Sequence, residues 1–261
     1  MGPDFLRLPE RTVKPRTAGV THVLDKGLPT PQTQALLEAV SEFVDIWKFG
    51  WGTAYLDRDL ESKLALLAAH QVSACLGGTL LELAWSQGRV EECLRWAAHV
   101  GVPMVEVSRG VMPMPLADKA QLIARAAQSF TVLAEVGIKD PAQQLDLGEW
   151  KDEVGRDLDA GAWLVITEGR ESGTVGAYDA SGEVIEEIVD AVAGVAGHER
   201  ILFEAPRRHQ QTWCIKRFGP NVNIGNVALE DIVNLETLRL GLRADTAVIA
   251  PGPPLRTRPV T

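Results

Sequence analysis

Chargeable residues in this chain gather where short apolar runs end. Asp25-Lys26-Gly27 closes the first run, Lys48 to Thr53 (KFGWGT) the second, and Gly77-Gly78-Thr79 the third, with Glu82 soon after. Glu106, Ser108 and Arg109 close the fourth. Glu135, Gly137, Lys139 and Asp140 close the fifth, Glu168 to Thr174 the sixth, and Glu204 to Arg208 the seventh. The eighth holds Asn221, Asn223 and Asn226 around Gly225. Seven of the eight ends carry an acid, a base or both. A carboxylate buried without a partner is costly, so these groups must meet each other, a metal or a charged ligand. At any single position, a salt bridge on a structural rim is the plain alternative.

The residue types narrow the chemistry. Glu106, Glu135, Glu168 and Glu204 offer oxygen ligands to a hard divalent ion such as Mg²⁺. Spacing alone does not separate direct ligands from supporting groups. No histidine occupies these positions, which argues against zinc and non-haem iron. A lysine inside a pocket can lose affinity for its proton and serve in acid–base work, and Lys139 stands at such a place. Its alternative is a rim ion pair with Asp140 or Glu135. Glycine-rich turns at 50–53, 77–79, 172–174 (with Ser172 and Gly173) and 223–226 could seat an anion on backbone N–H groups. Barrels often hold phosphate after strands seven and eight, which points to Arg207, Arg208, Asn223, Gly225 and Asn226. Ordinary turn chemistry uses the same residues.

The elements that must position these groups form a repeated unit. Strands are expected at 20–26, 43–50, 72–76, 104–108, 131–136, 163–168, 201–205 and 222–227. Helical periodicity covers 31–41, 60–70, 89–100, 116–128, 149–160, 183–196, 209–218 and 231–240. Eight β-then-α units predict a (β/α)₈ TIM-type barrel of the α/β class, as a single domain. No G-x-G-x-x-G follows the first strand, so an open dinucleotide-binding sheet has no support. Residues 1–18 read as an N-terminal arm, 19–246 as the barrel domain and 247–261 as a C-terminal tail. Side chains two apart share a strand face. Glu135 therefore continues the row of Leu133, and Glu204 the row of Leu202, as in an apolar core that opens into a pocket.

Composition excludes several classes. Of 261 residues, 26 are basic and 35 acidic, a net charge of −9 that disfavours non-specific nucleic-acid binding. Cys75, Cys93 and Cys214 form no C-x-x-C pair, so neither a disulfide framework nor a zinc knuckle is expected. No apolar run approaches the roughly 20 residues that span a bilayer. The opening residues show no secretory signal, and the expected location is cytoplasmic. Homo-oligomerisation stays open.

Taken in order, several motifs resemble the phosphosulfolactate synthase family from about residue 19 to 246. They are VLDKGL at 23–28, KFGWGT at 48–53, GGT at 77–79, EVS at 106–108, EVG at 135–137, RESGT at 170–174, EAP at 204–206 with Gln210-Gln211, and NVNIGN at 221–226. The resemblance implies a (β/α)₈ barrel and a Mg²⁺-dependent addition of sulfite to phosphoenolpyruvate. The product would be (2R)-phospho-3-sulfolactate, an early intermediate of coenzyme M biosynthesis, made by an enzyme of the carbon–sulfur lyase class. On that reading Lys139 protonates C2, while Lys26, Lys48 and Arg170 neutralise phosphate, carboxylate or sulfite. Three positions depart from the family pattern. Ile138 replaces the first of two lysines, Arg109 replaces an aspartate, and Leu76 replaces a proline. They leave room for a relative that adds another nucleophile, with Arg109 serving a more anionic substrate. A non-enzymatic relative of the plant heat-stress type is the third reading.

Overall fold

The computed structural model describes residues 5–139 and 145–250. Eight parallel strands close into a barrel in chain order. They are β1 (Thr21–Asp25), β2 (Ile46–Phe49), β3 (Ser73–Leu76), β4 (Met104–Val107), β5 (Thr131–Val136), β6 (Leu164–Thr167), β7 (Ile201–Glu204) and β8 (Ile224–Ala228). Ten α-helices occur among the described residues: α1 (Thr30–Val40), α2 (Thr53–Leu56), α3 (Leu60–Ala69), α4 (Gly78–Ser86), α5 (Val90–Val100), α6 (Leu116–Ala126), α7 (Leu147–Asp159), α8 (Glu186–Ala196), α9 (Arg208–Phe218) and α10 (Ile232–Arg239). Closure is made by β8 against β1, where Val23 pairs with Val227 and Leu24 with Ala228.

All eight expected strands are present, and two helices were not foreseen. The short α2 is a single turn. The α4 helix opens on Gly78-Thr79, and glycine costs a helix about 1 kcal/mol against alanine. Burial of Leu81 and Ala84 overrides that local preference. The α7 helix carries its own start signal: Asp146 accepts from the Glu149 N–H, and the Glu149 side chain accepts from the Asp146 N–H. None of the described helices is long and apolar enough to cross a membrane.

Strand parity builds two cores. Outward residues such as Val23, Trp47, Val105 and Phe203 pack under the helices. Inward, Ile46, Met104, Leu133, Ile166 and Leu202 fill the barrel with Val20, Cys75 and Leu164. Two residues further along the same five strands, the inward positions become Lys48, Glu106, Glu135, Glu168 and Glu204, all buried. The apolar filling therefore ends in a charged layer at the C-terminal mouth, where barrel enzymes place their chemistry.

The eighth strand starts at Ile224, not at 222. The reading of NVNIGN as an anion-binding loop is corrected for its first half, since in a parallel barrel the residues ahead of a strand lie away from the mouth. Asn221 and Asn223 precede the strand and lie at the opposite end from the mouth. Asn223 is buried; its amide donates to the Glu199 and Ile201 carbonyls and its oxygen accepts from the Val20 N–H. Arg239 closes that same end, donating to the Pro220 and Val222 carbonyls at 2.6 Å. Burial lowers the Arg239 pKa to about 9, and neighbouring Arg11 adds to the effect.

Arg109 also departs from its expected place. Its guanidinium forms a two-point ion pair with Glu153 of α7, at 3.0 and 2.6 Å. Glu153 and Asp157 in turn share Lys119 of α6, each at 2.6 Å, and Lys119 donates to the Glu135 carbonyl at 2.8 Å. A four-residue charge network thus ties two helices to β5. Arg109→Ala is expected to lower the melting temperature while leaving KM for the substrate within about twofold, because its partner lies in the helix layer. A KM rise of about tenfold or more, measured by steady-state kinetics, would return Arg109 to the binding site.

Candidate active site

Three carboxylates meet at the mouth. Glu135, Glu168 and Glu204 each offer an oxygen within 4.8 Å of the others, and all three side chains are buried. Two ammonium groups interleave with them. Lys139 Nζ lies 2.7 Å from Glu135, 3.5 Å from Glu168 and 3.9 Å from Glu82. Lys48 Nζ lies 2.9 Å from Glu106 and 3.1 Å from Glu204, and donates to Asn226 Oδ1 at 3.3 Å. Arg170 adopts a left-handed backbone with φ of 56°, uncommon for a residue with a side chain. That conformation aims its N–H at Glu168 Oε1 (2.8 Å) and Glu204 Oε2 (3.1 Å), where the Gly169 N–H also donates. Gly137, at φ of 126°, lets the chain turn after β5; a Cβ there would lie 2.6 Å from that of Glu168. The turn brings Lys139 back over Glu135.

Burial and neighbours set opposite protonation preferences. Burial alone would raise Glu135, but Lys139 and Lys48 outweigh it and hold its pKa at about 2. Glu168 goes the other way: burial and the nearby Glu135 charge hold it well above the carboxylate range, against the pull of Lys139. Burial raises Glu204 as well, only partly offset by Lys48. Burial disfavours both ammonium groups, yet the surrounding carboxylates more than compensate and raise both pKa values. Of the two readings weighed for Lys139, a lowered proton affinity and an ion pair with Asp140 or Glu135, the structure shows the ion pair with Glu135, and the Glu135, Glu168 and Glu82 charges strengthen its hold on the proton. It is an ammonium at neutral pH and holds a proton to give.

The residues fit a divalent cation. Four inward glutamates, Glu106, Glu135, Glu168 and Glu204, face two lysines, so the layer carries two carboxylates in excess. Glu135 Oε1 and Glu168 Oε2 are buried and face the Lys139 ammonium at 2.7 and 3.5 Å without a well-formed hydrogen bond. Oxygen donors alone surround the point where the trio meets, which suits a hard ion. Glu106 stands apart from that trio: its Oε2 meets Lys48 and accepts from the Gly78 N–H at 3.1 Å, and its Oε1 faces His22. It supports Lys48.

A cavity of about 130 Å³ opens above this layer. Lys48, Glu106, Glu135, Lys139, Glu168, Arg170, Glu204 and Asn226 line it, with Trp51, Gly77, Gly78, Thr79 and Val111 around the opening. Other expected residues do not reach it. Lys26 is exposed on the β1–α1 turn. Ser172 bonds Thr174, and Gly173 lies against the Gln210 amide, which donates to its carbonyl. Arg207 turns to the Ser181 carbonyl. Gly225 faces the barrel interior beside His22 and Leu202. Leu76 is a buried residue of the outer core, and Ile138 is half-buried. Asp140, the other partner weighed for Lys139, lies outside the described residues.

Three contributors had no role assigned from sequence, although Glu82 was counted among the charged strand ends. His22 shares a strand face with Leu24, so its inward direction was legible, but its carboxylate partner was not. Glu82 sits on the unforeseen α4. There its carboxylate accepts from the Ser108 hydroxyl and from the Val111 and Met112 N–H groups, pinning the β4–α6 loop over the cavity. Trp51, with φ of 53° and a half-open ring, flanks the mouth.

Closed parallel strands with a charged, oxygen-rich C-terminal mouth define a TIM-type barrel with its candidate site at that end. The barrel is shared at 18% identity with 3-hexulose-6-phosphate synthase of Salmonella typhimurium, with a TM-score of 0.51 over 88% of this chain and 94% of the other. The particular assignment comes from sequence: residues 9–245 match the (2R)-phospho-3-sulfolactate synthase family, and the chain belongs to it. Phosphosulfolactate synthase of Bacillus subtilis (strain 168) is 42% identical, over 93% of this chain and 98% of the relative. That of Methanothermobacter thermautotrophicus is 40% identical, over 93% and 96%. The chain is a phosphosulfolactate synthase-type carbon–sulfur lyase.

Proposed function

We propose that this mouth joins sulfite to C3 of phosphoenolpyruvate with magnesium present, giving (2R)-phospho-3-sulfolactate. The observation that supports it is the meeting of three buried carboxylates with the buried Lys48 and half-buried Lys139 ammonium groups in one small cavity. Glu135, Glu168 and Glu204 would hold the magnesium, which supplies a fixed positive charge beside the substrate carboxylate when bound. Lys48 and Arg170 offset the remaining anionic charge of the two substrates. The sulfur lone pair attacks C3 and forms the C–S bond. The C2–C3 π electrons shift toward C2 and the carboxylate. Lys139 then gives its Nζ proton to C2, and the phosphate ester stays intact. Net, one sulfite, one phosphoenolpyruvate and one proton make one product. Charge that grows on the carboxylate only during attack is what fixed cations stabilise selectively. Trp51 and Val111 narrow the opening above the reacting atoms.

The test is product formation followed by ³¹P spectroscopy. Purified protein with phosphoenolpyruvate, sulfite and Mg²⁺ is expected to form phosphosulfolactate, and EDTA to abolish it. Glu168→Gln is expected to slow the reaction by about 10²-fold or more, the scale of losing one fixed electrostatic group. Folded protein that makes no product with Mg²⁺ present would refute the reading.

A further inference from the structure

His22 lies wholly buried inside the barrel, below the cavity, and no step above uses it. Its two ring nitrogens have different neighbours. Nδ1 faces the Asn226 backbone N–H at 3.3 Å. A backbone N–H can only donate, so Nδ1 is the acceptor and the proton sits on Nε2. Nε2 stands 3.2 Å from Glu106 Oε1, a close contact outside hydrogen-bond geometry, and neither atom has a hydrogen-bond partner among the described residues. The other Glu106 oxygen holds Lys48 at 2.9 Å, and Lys48 donates to the Asn226 side chain at 3.3 Å. The contacts return to the residue where they began. Four residues from β8, β1, β4 and β2 form a closed ring; Lys48, Glu106 and Asn226 line the cavity, and His22 is the member beneath it.

Two backbone features make the ring possible. Asn226 has φ of 52°, a conformation that turns its N–H down to His22 while its side chain meets Lys48. Gly225 has no Cβ; one built there would lie 3.2 Å from His22 Nδ1 and 3.2 Å from Leu202. The imidazole occupies the space that a larger residue would take.

We propose that His22 is a positioning residue for substrate binding: through Glu106 and Asn226 it fixes the direction in which Lys48 presents its ammonium to the anionic substrate. The proposal rests on the reading of Lys48 as a substrate-facing cation. It predicts a split between binding and chemistry. His22→Val removes both contacts, leaving Lys48 charged but free to turn toward Glu204. KM for phosphoenolpyruvate is then expected to rise about tenfold or more, with kcat within about threefold, as for a misplaced binding group. His22→Gln, whose amide N–H can reach Glu106, is expected to recover most of the loss. Thermal melts of both variants accompany the kinetics. A native KM in His22→Val overturns the proposal, as does His22→Gln performing no better than His22→Val.

A second readout needs no turnover. In ¹⁵N-histidine spectra of the unaltered protein, the His22 proton is expected on Nε2, and a proton on Nδ1 would overturn the ring. Wild-type protein without product contradicts the functional reading, whereas an active wild type with an Nδ1–H tautomer contradicts only this inference.

Discussion

Replacing Lys139 by arginine will lower kcat by roughly 10³-fold while leaving KM for phosphoenolpyruvate within a few-fold, on the scale of a lost general acid. Arginine keeps the positive charge that Glu135 and Glu168 face, so the anionic substrate still finds a cation. It does not deprotonate in proteins, so C2 receives no proton from it. Lys139→Met removes both functions and is expected to raise KM as well. The Lys139 pKa stands above the ordinary lysine value because three carboxylates favour the charged form. The group stays protonated across the neutral range, and wild-type kcat should show no alkaline fall there from this residue. Steady-state kinetics of the two variants between pH 6 and about 9 checks all three statements. A lysine-to-arginine enzyme with native kcat would move the proton donor elsewhere.

Lys119→Met will destabilise the fold by about 3–5 kcal/mol, the cost of stripping one partner from a buried ion pair. For a chain of this size that corresponds to a fall in Tm of roughly 10 °C. Lys119 is fully buried, and Glu153 and Asp157 each lose a 2.6 Å contact when it goes. The β5 backbone loses a further hydrogen bond at Glu135. The effect also carries a pH signature. Burial raises the Asp157 carboxyl to about 6, against the pull of Lys119. A carboxyl whose folded value lies above its ordinary one favours the fold at low pH and loses that advantage as pH rises through the folded value. At about pH 5 Asp157 keeps its proton and needs little from Lys119; at about pH 8 it is charged and unpaired. The loss in Tm is therefore expected to be larger at pH 8 than at pH 5. Equal losses, or none, would remove the network from the account of stability.

Much of this was readable from period and residue type. Strand parity made the apolar-to-charged rows visible: Leu133 leads to Glu135 and Leu202 to Glu204, and the barrel turns those rows into one layer. Parity says which face a residue takes, and so it found Glu135, Glu168 and Glu204; Lys48 was marked by its place at a strand end. Parity does not say at which end of a strand a residue lies once the boundary moves. In NVNIGN, Asn223 lies ahead of the strand at the far end, while Asn226, three residues on, lines the mouth. Parity is also silent on partners. Arg109 stood beside a glutamate at 106, but its guanidinium found Glu153, 44 residues away. Glu82 was marked as a charged strand end, but its role stayed hidden because the helix carrying it begins on glycines, whose local preference is for turns. His22 was hidden because a lone histidine in an apolar strand has no chemistry until Glu106 and Asn226 stand on either side.

The central claim is that Glu135, Glu168 and Glu204 together hold the divalent ion beside the substrate. Diffraction at the manganese edge, from crystals soaked with Mn²⁺ and phosphoenolpyruvate, locates the ion without relying on turnover. The account predicts one ordered Mn²⁺ bound by these three carboxylates, with the substrate between it and Lys139. An ordered Mn²⁺ elsewhere, with phosphoenolpyruvate bound and this trio still paired to lysines, would contradict it.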